Sequence, residues 1–184
     1  QADHHPRADR RDVRRAVLGM NRAKDRGGQQ PIAGHRQEDP RLAQERDQQE
    51  AVGYFQALDT ISESFADIRV SEGDVKNLHK ILMKHSEKDV WHRGEYKKHP
   101  NSVDAHYPDG RTVTIFNTTK PGQDTEIAMR SLFEWYQNDK STPAIIKVAV
   151  FVYEFLSIHP FQDGNGRLSR LLGTLLLLKQ GYPW

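Results

Sequence analysis

From Ile145 to Leu176 the chain is committed to a helix, a stop, a tight turn and a second helix. Ile145 to Ile158 is apolar almost all round, which marks a helix buried at the centre of a domain. Pro160 has no backbone N–H and restricts the residue before it, so this helix ends near Ile158 or His159. Gly164 and Gly166 tolerate positive φ, which a tight turn demands. Leu168, Leu171, Leu172, Leu175 and Leu176 then recur at i, i+3, i+4, i+7 and i+8, the buried stripe of an amphipathic helix.

The joining run, His159-Pro160-Phe161-Gln162-Asp163-Gly164-Asn165-Gly166-Arg167-Leu168-Ser169-Arg170, concentrates chemistry. His159 is a candidate base. Asp163 is a hard oxygen ligand of the kind Mg²⁺ accepts beside substrate phosphates. The turn feeds a helix N-terminus, whose free N–H groups and macrodipole attract phosphate. Arg167 and Arg170 are three apart and lie on one side of that helix. Cations there oppose the macrodipole, unless an anion sits between them. Taken singly, His-Pro is a helix stop, Gly-Asn-Gly a turn and two arginines a solvated face. Together and in this order they describe a phosphate-handling site. A dinucleotide fingerprint does not fit, because the third glycine is missing and a helix rather than a strand precedes the turn. There is no Walker-type run.

At every defined position this run matches the Fic signature, His-Pro-Phe-x-Asp/Glu-Gly-Asn-Gly-Arg-x-x-Arg, and the chain resembles the Fic (Fic/DOC) family. The likeness extends upstream. Asn77-Leu78-His79-Lys80-Ile81-Leu82-Met83 resembles the helix before the Fic flap, and Arg93-Gly94-Glu95-Tyr96 the stretch leading into it. It covers residues 50–184. The resemblance implies an all-α fold with one small β-hairpin flap. It also implies a protein adenylyltransferase, which moves AMP from ATP to a Ser, Thr or Tyr hydroxyl of a target protein and releases pyrophosphate. In that reading His159 is the general base and Asp163 holds Mg²⁺. Gly164, Asn165 and Gly166 stabilise phosphate charge, with Asn165 on the α-phosphate, and Arg167 and Arg170 hold the distal phosphates. Phe161 points away and anchors the loop in the core. Two alternatives stay open: a Fic-type transferase with another nucleotide donor, and a non-catalytic nucleotide-binding interaction module.

Composition bounds the rest. One domain with a real core is within reach of 184 residues. There is no cysteine, which excludes disulfides and thiolate chemistry and is compatible with a cytoplasmic protein. No apolar run is long enough to span a bilayer. A net charge of +2 does not imply non-specific nucleic-acid binding. Composition breaks near position 50. The first fifty residues hold ten arginines, one lysine and no aromatic side chain; the rest holds six arginines and ten lysines. Residues 1–49 read as a disordered segment, a loosely attached helix or a non-native arginine-rich extension, and 50–184 as the folded domain, cut short after Tyr182-Pro183-Trp184.

Within that domain Val52, Phe55, Ala57 and Leu58 point to a first helix. Ser71 is the expected N-cap of a second, with Asp74 third in the helix, Val75, Leu78, Ile81 and Leu82 as its apolar face, and Lys84 and His85 at its end. Pro108-Asp109-Gly110 followed by β-branched Thr112 to Phe116 predicts a hairpin or extended flap. Fic flaps align a target backbone by strand-like pairing, which makes Thr112 to Asn117 the candidate edge, although an ordinary structural hairpin explains the same residues equally well. Thr125 to Gln137 reads as a helix with Ile127, Met129, Leu132, Phe133 and Tyr136 apolar. Pro143 suits the first turn of another.

Other candidates carry less. His92, His99 and His106 recur every seven residues, but Pro100 and Pro108 break any helix there; exposed flap histidines are expected rather than zinc ligands. Trp91, Trp135 and Trp184 read as packing residues. Many Fic proteins are inhibited by a Ser/Thr-x-x-x-Glu-Gly/Asn helix whose glutamate pairs with the last motif arginine. Here Ser71-Glu72-Gly73 has the glutamate–glycine pair, but Ile68 stands four before Glu72. Inhibition is therefore expected from a separate protein, or the inhibitory helix is missing.

Overall fold

The computed structural model describes residues 40–182. In chain order these are α1 (Pro40–Ser64), α2 (Glu72–Leu82), a 3₁₀ turn (Glu87–His92), β1 (Ser102–His106), β2 (Thr112–Asn117), α3 (Gln123–Asn138), α4 (Ala144–Ile158) and α5 (Asn165–Lys179). This is the expected helical fold with one two-stranded sheet. The chain's beginning, up to residue 39, and Trp184 lie outside the described residues.

The leucine stripe of α5 is the centre of the core. Leu168, Leu171, Leu172, Leu175 and Leu176 are all buried. They pack among Val148, Phe151, Phe155 and Ile158 of α4, Ala57 and Ile61 of α1, Val75, Leu78 and Leu82 of α2, and Met129, Leu132 and Phe133 of α3. Helix α5 packs on α1, α2 and α4, whereas α4 packs chiefly on α3 and α5. The expectation that α4 is the central, fully buried helix is therefore corrected. Ile145, Ile146 and Tyr153 are exposed, Tyr153 by 68%. An apolar run without period shows that a helix is hydrophobic, not how many neighbours it finds.

Helix α1 also departs from expectation. It starts at Pro40, a residue suited to a first turn, and runs through position 50. Its first ten residues are rich in Gln, Glu and Arg, good helix formers without apolar period. Val52 and Phe55 face outward, Phe55 61% exposed, while Ala57 and Ile61 turn inward. Gly53 explains the register: a Cβ there would lie 2.1 Å from the Leu82 carbonyl oxygen, so only glycine lets α1 cross the end of α2 this closely. In α2, Ser71 caps as expected; its hydroxyl accepts from Asp74 N and donates to the Asp74 carboxylate at 2.7 Å. The helix stops at Leu82, so Lys84 and His85 lie beyond it.

The outer part of the hairpin, 105–113, groups apart from the helical body and is described by itself. Tyr107 N donates to Arg111 O, Gly110 N donates to Tyr107 O, and Gly110 takes φ +83°. Ile127 of α3 is half exposed rather than core. No helix among the described residues is long and apolar enough to cross a membrane.

Candidate active site

The motif loop is held from beneath by its own asparagine and by the segment before β1. Asn165 is buried. Its Oδ1 accepts from Phe161 N at 2.9 Å and its Nδ2 donates to Phe161 O at 2.8 Å. The Phe161 ring is fully buried, stacked on His79 at 3.9 Å between centroids and tilted on Tyr96 at 5.5 Å. Tyr96 and Phe161 form an isolated antiparallel bridge. Lys97 N donates to Pro160 O, Asn101 Nδ2 to Phe161 O and His99 N to Gln162 Oε1. The expected anchoring role of Phe161 is what the structure shows.

Burial of His79 is decisive for the loop's far end. Gly94 N donates to its Nδ1 at 2.8 Å, so Nε2 carries the hydrogen and donates to Asp163 O at 3.0 Å. A Cβ on Gly164 would sit 2.9 Å from Met83 Sδ, and the residue takes φ +79°, so a larger residue there is strained and displaces the thioether. Burial holds the His79 ring down to about 4. The unfolded chain therefore binds this proton first. Stability is expected to be whole above about pH 6.5 and to be lost as pH falls towards 4, on the order of 3 kcal/mol in all. Urea unfolding of the wild type and His79→Gln at pH 7 and pH 4 checks this; equal pH dependence in both would refute it.

On its open side the loop lines a recess of about 370 Å³, together with Glu50, His159, Gln162, Asp163, Gly164, Asn165, Gly166, Arg167 and Arg170. All seven residues expected at the site thus border one cavity. His159 closes α4 in the left-handed region, φ 53° and ψ 58°, and its Nδ1 lies 3.2 Å from Leu156 O. A carbonyl accepts only, so Nδ1 carries the hydrogen and Nε2 keeps the lone pair. Burial lowers the His159 pKa most and the nearby Lys97 charge adds to that, against the Leu156 hydrogen bond and the Asp163 charge, which raise it. The first turn of α5 has no side-chain cap; Gly164 stands at the N-cap and leaves backbone N–H groups open to an anion. Asp163 Oδ1 accepts from Gly164 N at 2.6 Å. Arg167 lies 3.0 Å from Glu50 and 3.6 Å from Asp163. Its Nη1 is within ion-pair distance of Glu50 without hydrogen-bond alignment. Arg170 is exposed.

Several residues escaped the sequence reading. Glu50 sits in α1, more than a hundred positions before Arg167, and only the fold brings them together. It pairs with the first motif arginine, not the last. His79 lay inside a segment read for its apolar face. Lys97, Asn101 and Thr118 carried no motif signal. Two expectations near the site are corrected. His92 is buried, edge-on to Trp91 and 6.5 Å from the His79 ring, because the 3₁₀ turn rotates it inward; His99 and His106 are exposed. Trp91 is 54% exposed instead of packed, while Trp135 packs against the core. No group of three or more His, Cys, Asp or Glu among the described residues is placed to hold a metal ion.

The profile of the Fic/DOC family matches residues 69–177. The chain belongs to the Fic/DOC family. It is 31% identical over 137 residues to the protein adenylyltransferase Fic of Drosophila virilis, covering 73% of this chain and 26% of that one. Against the protein of the same name from Drosophila mojavensis it is 34% identical over 112 residues, 60% of this chain and 20% of the other. A Fic domain containing signaling protein from Bacteroides thetaiotaomicron aligns with a TM-score of 0.62 and 26% identity, over 92% of this chain and 56% of that one. This chain thus spans about a quarter of the length of the curated relatives it matches. The family match begins after α1, so Glu50 lies outside it.

Proposed function

We propose that this protein is a Fic-type adenylyltransferase, transferring AMP from ATP to a Ser, Thr or Tyr hydroxyl of a target protein. The observation that carries the reading is the His159 tautomer: Nδ1–H is bonded to Leu156 O, and Nε2 is left as a base on the recess that holds the uncapped α5 N-terminus. The target hydroxyl gives its proton to Nε2 as its oxygen attacks the α-phosphorus. The bond to the bridging oxygen breaks and pyrophosphate leaves. Negative charge on the α-phosphate is met by the N–H groups of Gly166 and Asn165. The Asn165 side chain is spent on Phe161, so its contact with phosphate comes from the backbone. Arg167 and Arg170 hold the departing phosphates.

Asp163 suits Mg²⁺, because this ion is held by one or two carboxylates plus substrate phosphates and not by an all-protein cage. A half-exposed carboxylate at the rim of the recess meets that need. Bound there, Mg²⁺ supplies charge neutralisation on the phosphates. Thr112 to Asn117 offers a strand edge for the target's backbone. A separate inhibitory protein belongs to this reading, since the glutamate at the site pairs with Arg167 and leaves Arg170 exposed.

Incubation with ATP, UTP, GTP or CTP labelled at the α-phosphate, plus Mg²⁺ and a lysate of candidate targets, tests the proposal. Label from ATP on protein is expected; label from another nucleotide alone, or none, would overturn the adenylyl assignment. Arg170→Ala is expected to weaken ATP binding by ~1.5–3 kcal/mol and AMP binding far less, since its partner is a distal phosphate. Equal losses in a binding titration would remove Arg170 from that role.

A further inference from the structure

His159 is the only non-glycine residue among those described with positive φ. A side chain in the left-handed region persists only where neighbours hold it. Here one residue grips the chain on both sides of the turn, with Thr119 beside it. Lys97 Nζ donates to Ile158 O, the carbonyl before His159, at 3.0 Å. Lys97 N donates to Pro160 O, the carbonyl after it, at 2.8 Å. Thr119 Oγ1 also donates to Ile158 O, at 2.7 Å.

The lysine is itself unusual. It is 2% exposed, and its other two acceptors are Asn101 Oδ1 at 2.9 Å and Thr118 Oγ1 at 2.8 Å. Three donors meet three oxygens, and none of the three is a carboxylate. Packing alone would be served by a methionine of similar length, because a buried charge without a counter-ion is costly. Burial lowers the lysine only to about 8, so it stays mostly charged at neutral pH.

We propose that Lys97 is a positioning residue for His159, gripping both carbonyls that flank the left-handed turn and setting a fixed positive charge behind the imidazole. The proposal rests on the reading of His159 as the base. The buried charge opposes formation of a second cation beside it, which keeps the ring in its neutral, proton-accepting form. Around His159 the charged groups are Lys97 from the segment before β1, Asp163 from the loop, Glu50 from α1, and Arg167 and Arg170 from α5. Asp163 pulls the other way, and Lys97 is the charge fixed within the protein interior.

The test uses the full chain with Lys97→Met, Lys97→Gln and Lys97→Arg. The His159 ring is titrated by NMR without substrate, and labelled transfer from ATP is measured beside it. In Lys97→Met, kcat is expected to fall on the order of tenfold to a hundredfold. The KM for ATP stays near the wild-type value, and the His159 midpoint moves up. Lys97→Arg keeps charge and donors and stays closer to wild type. If Lys97→Met does not fold, Lys97→Gln still removes the charge while keeping a donor for Ile158 O, and the midpoint again moves up. A folded Met or Gln variant with an unmoved midpoint, whatever its Tm, marks Lys97 as structural and overturns the proposal. So does a loss confined to KM. The midpoint is read without turnover, so this result stands apart from the base assignment, which His159→Ala tests alone.

Discussion

Transfer by His159→Ala is expected to fall by ~10²–10⁴-fold while nucleotide affinity stays near the wild-type value. The ring is half-buried at the rim of the recess, and its hydrogen bond from Nδ1 to Leu156 O fixes the tautomer and partly offsets the effect of burial on its pKa. Removing it takes away the proton acceptor and leaves the α5 N-terminus, Arg167 and Arg170 in place. The loss should therefore appear in kcat. The pH dependence follows from the same geometry. Burial, then the Lys97 charge, lowers the His159 pKa below the ordinary histidine value, and the base acts in its neutral form. Activity should be level at neutral pH and fall only as pH drops through that lowered pKa. Turnover at saturating ATP, calorimetric nucleotide binding and a pH profile check the three parts. Near-normal turnover in the variant would end the base assignment.

Much of this was legible in the sequence because the motif is local. A helix stop, a turn and a leucine stripe are encoded within a few residues, and they fix where His159, Asp163, Arg167 and Arg170 stand along the chain. The stripe also marked the true centre of the core, since a period of 3.6 shows which face is buried. Ile145 to Ile158 lacks that period, and its exposed side could not be read. What supports the motif is non-local. Glu50, His79 and Lys97 reach the loop from α1, α2 and the segment before β1, across separations at which no spacing rule applies. Their signals were also disguised: Glu50 stands in a charged helix, His79 on an apolar face, and Lys97 beside a second lysine. The proposed phosphate site follows from the chemistry of a local motif, whereas the scaffold beneath it needed the fold.

Asn165→Ala tests that scaffold and is expected to cost roughly 2–4 kcal/mol of stability, about 5–15 °C in Tm. The side chain is buried and satisfies the Phe161 backbone twice, so it acts as a short strand partner built from an amide. Phe161 O keeps a second donor, Asn101 Nδ2 at 3.0 Å, but Phe161 N has no other acceptor shown and becomes a buried unpaired donor. Leaving such a group unmet costs about 1–3 kcal/mol. The released segment also carries the ring stacked on His79, and His79 in turn holds Asp163 O. Slack at Asn165 thus passes to both ends of the loop, and a displacement of about 1 Å at His159 is enough to lower turnover on the order of 100-fold. Asn165→Asp separates the two effects. Its carboxylate still accepts from Phe161 N, so the Tm should fall less than in the alanine variant. It also places an acid beneath the proposed phosphate site, so nucleotide binding should fall more. A wild-type Tm for Asn165→Ala, or aspartate behaving like alanine in both measurements, would show that the loop is held by Lys97, Asn101 and His79 without its own asparagine.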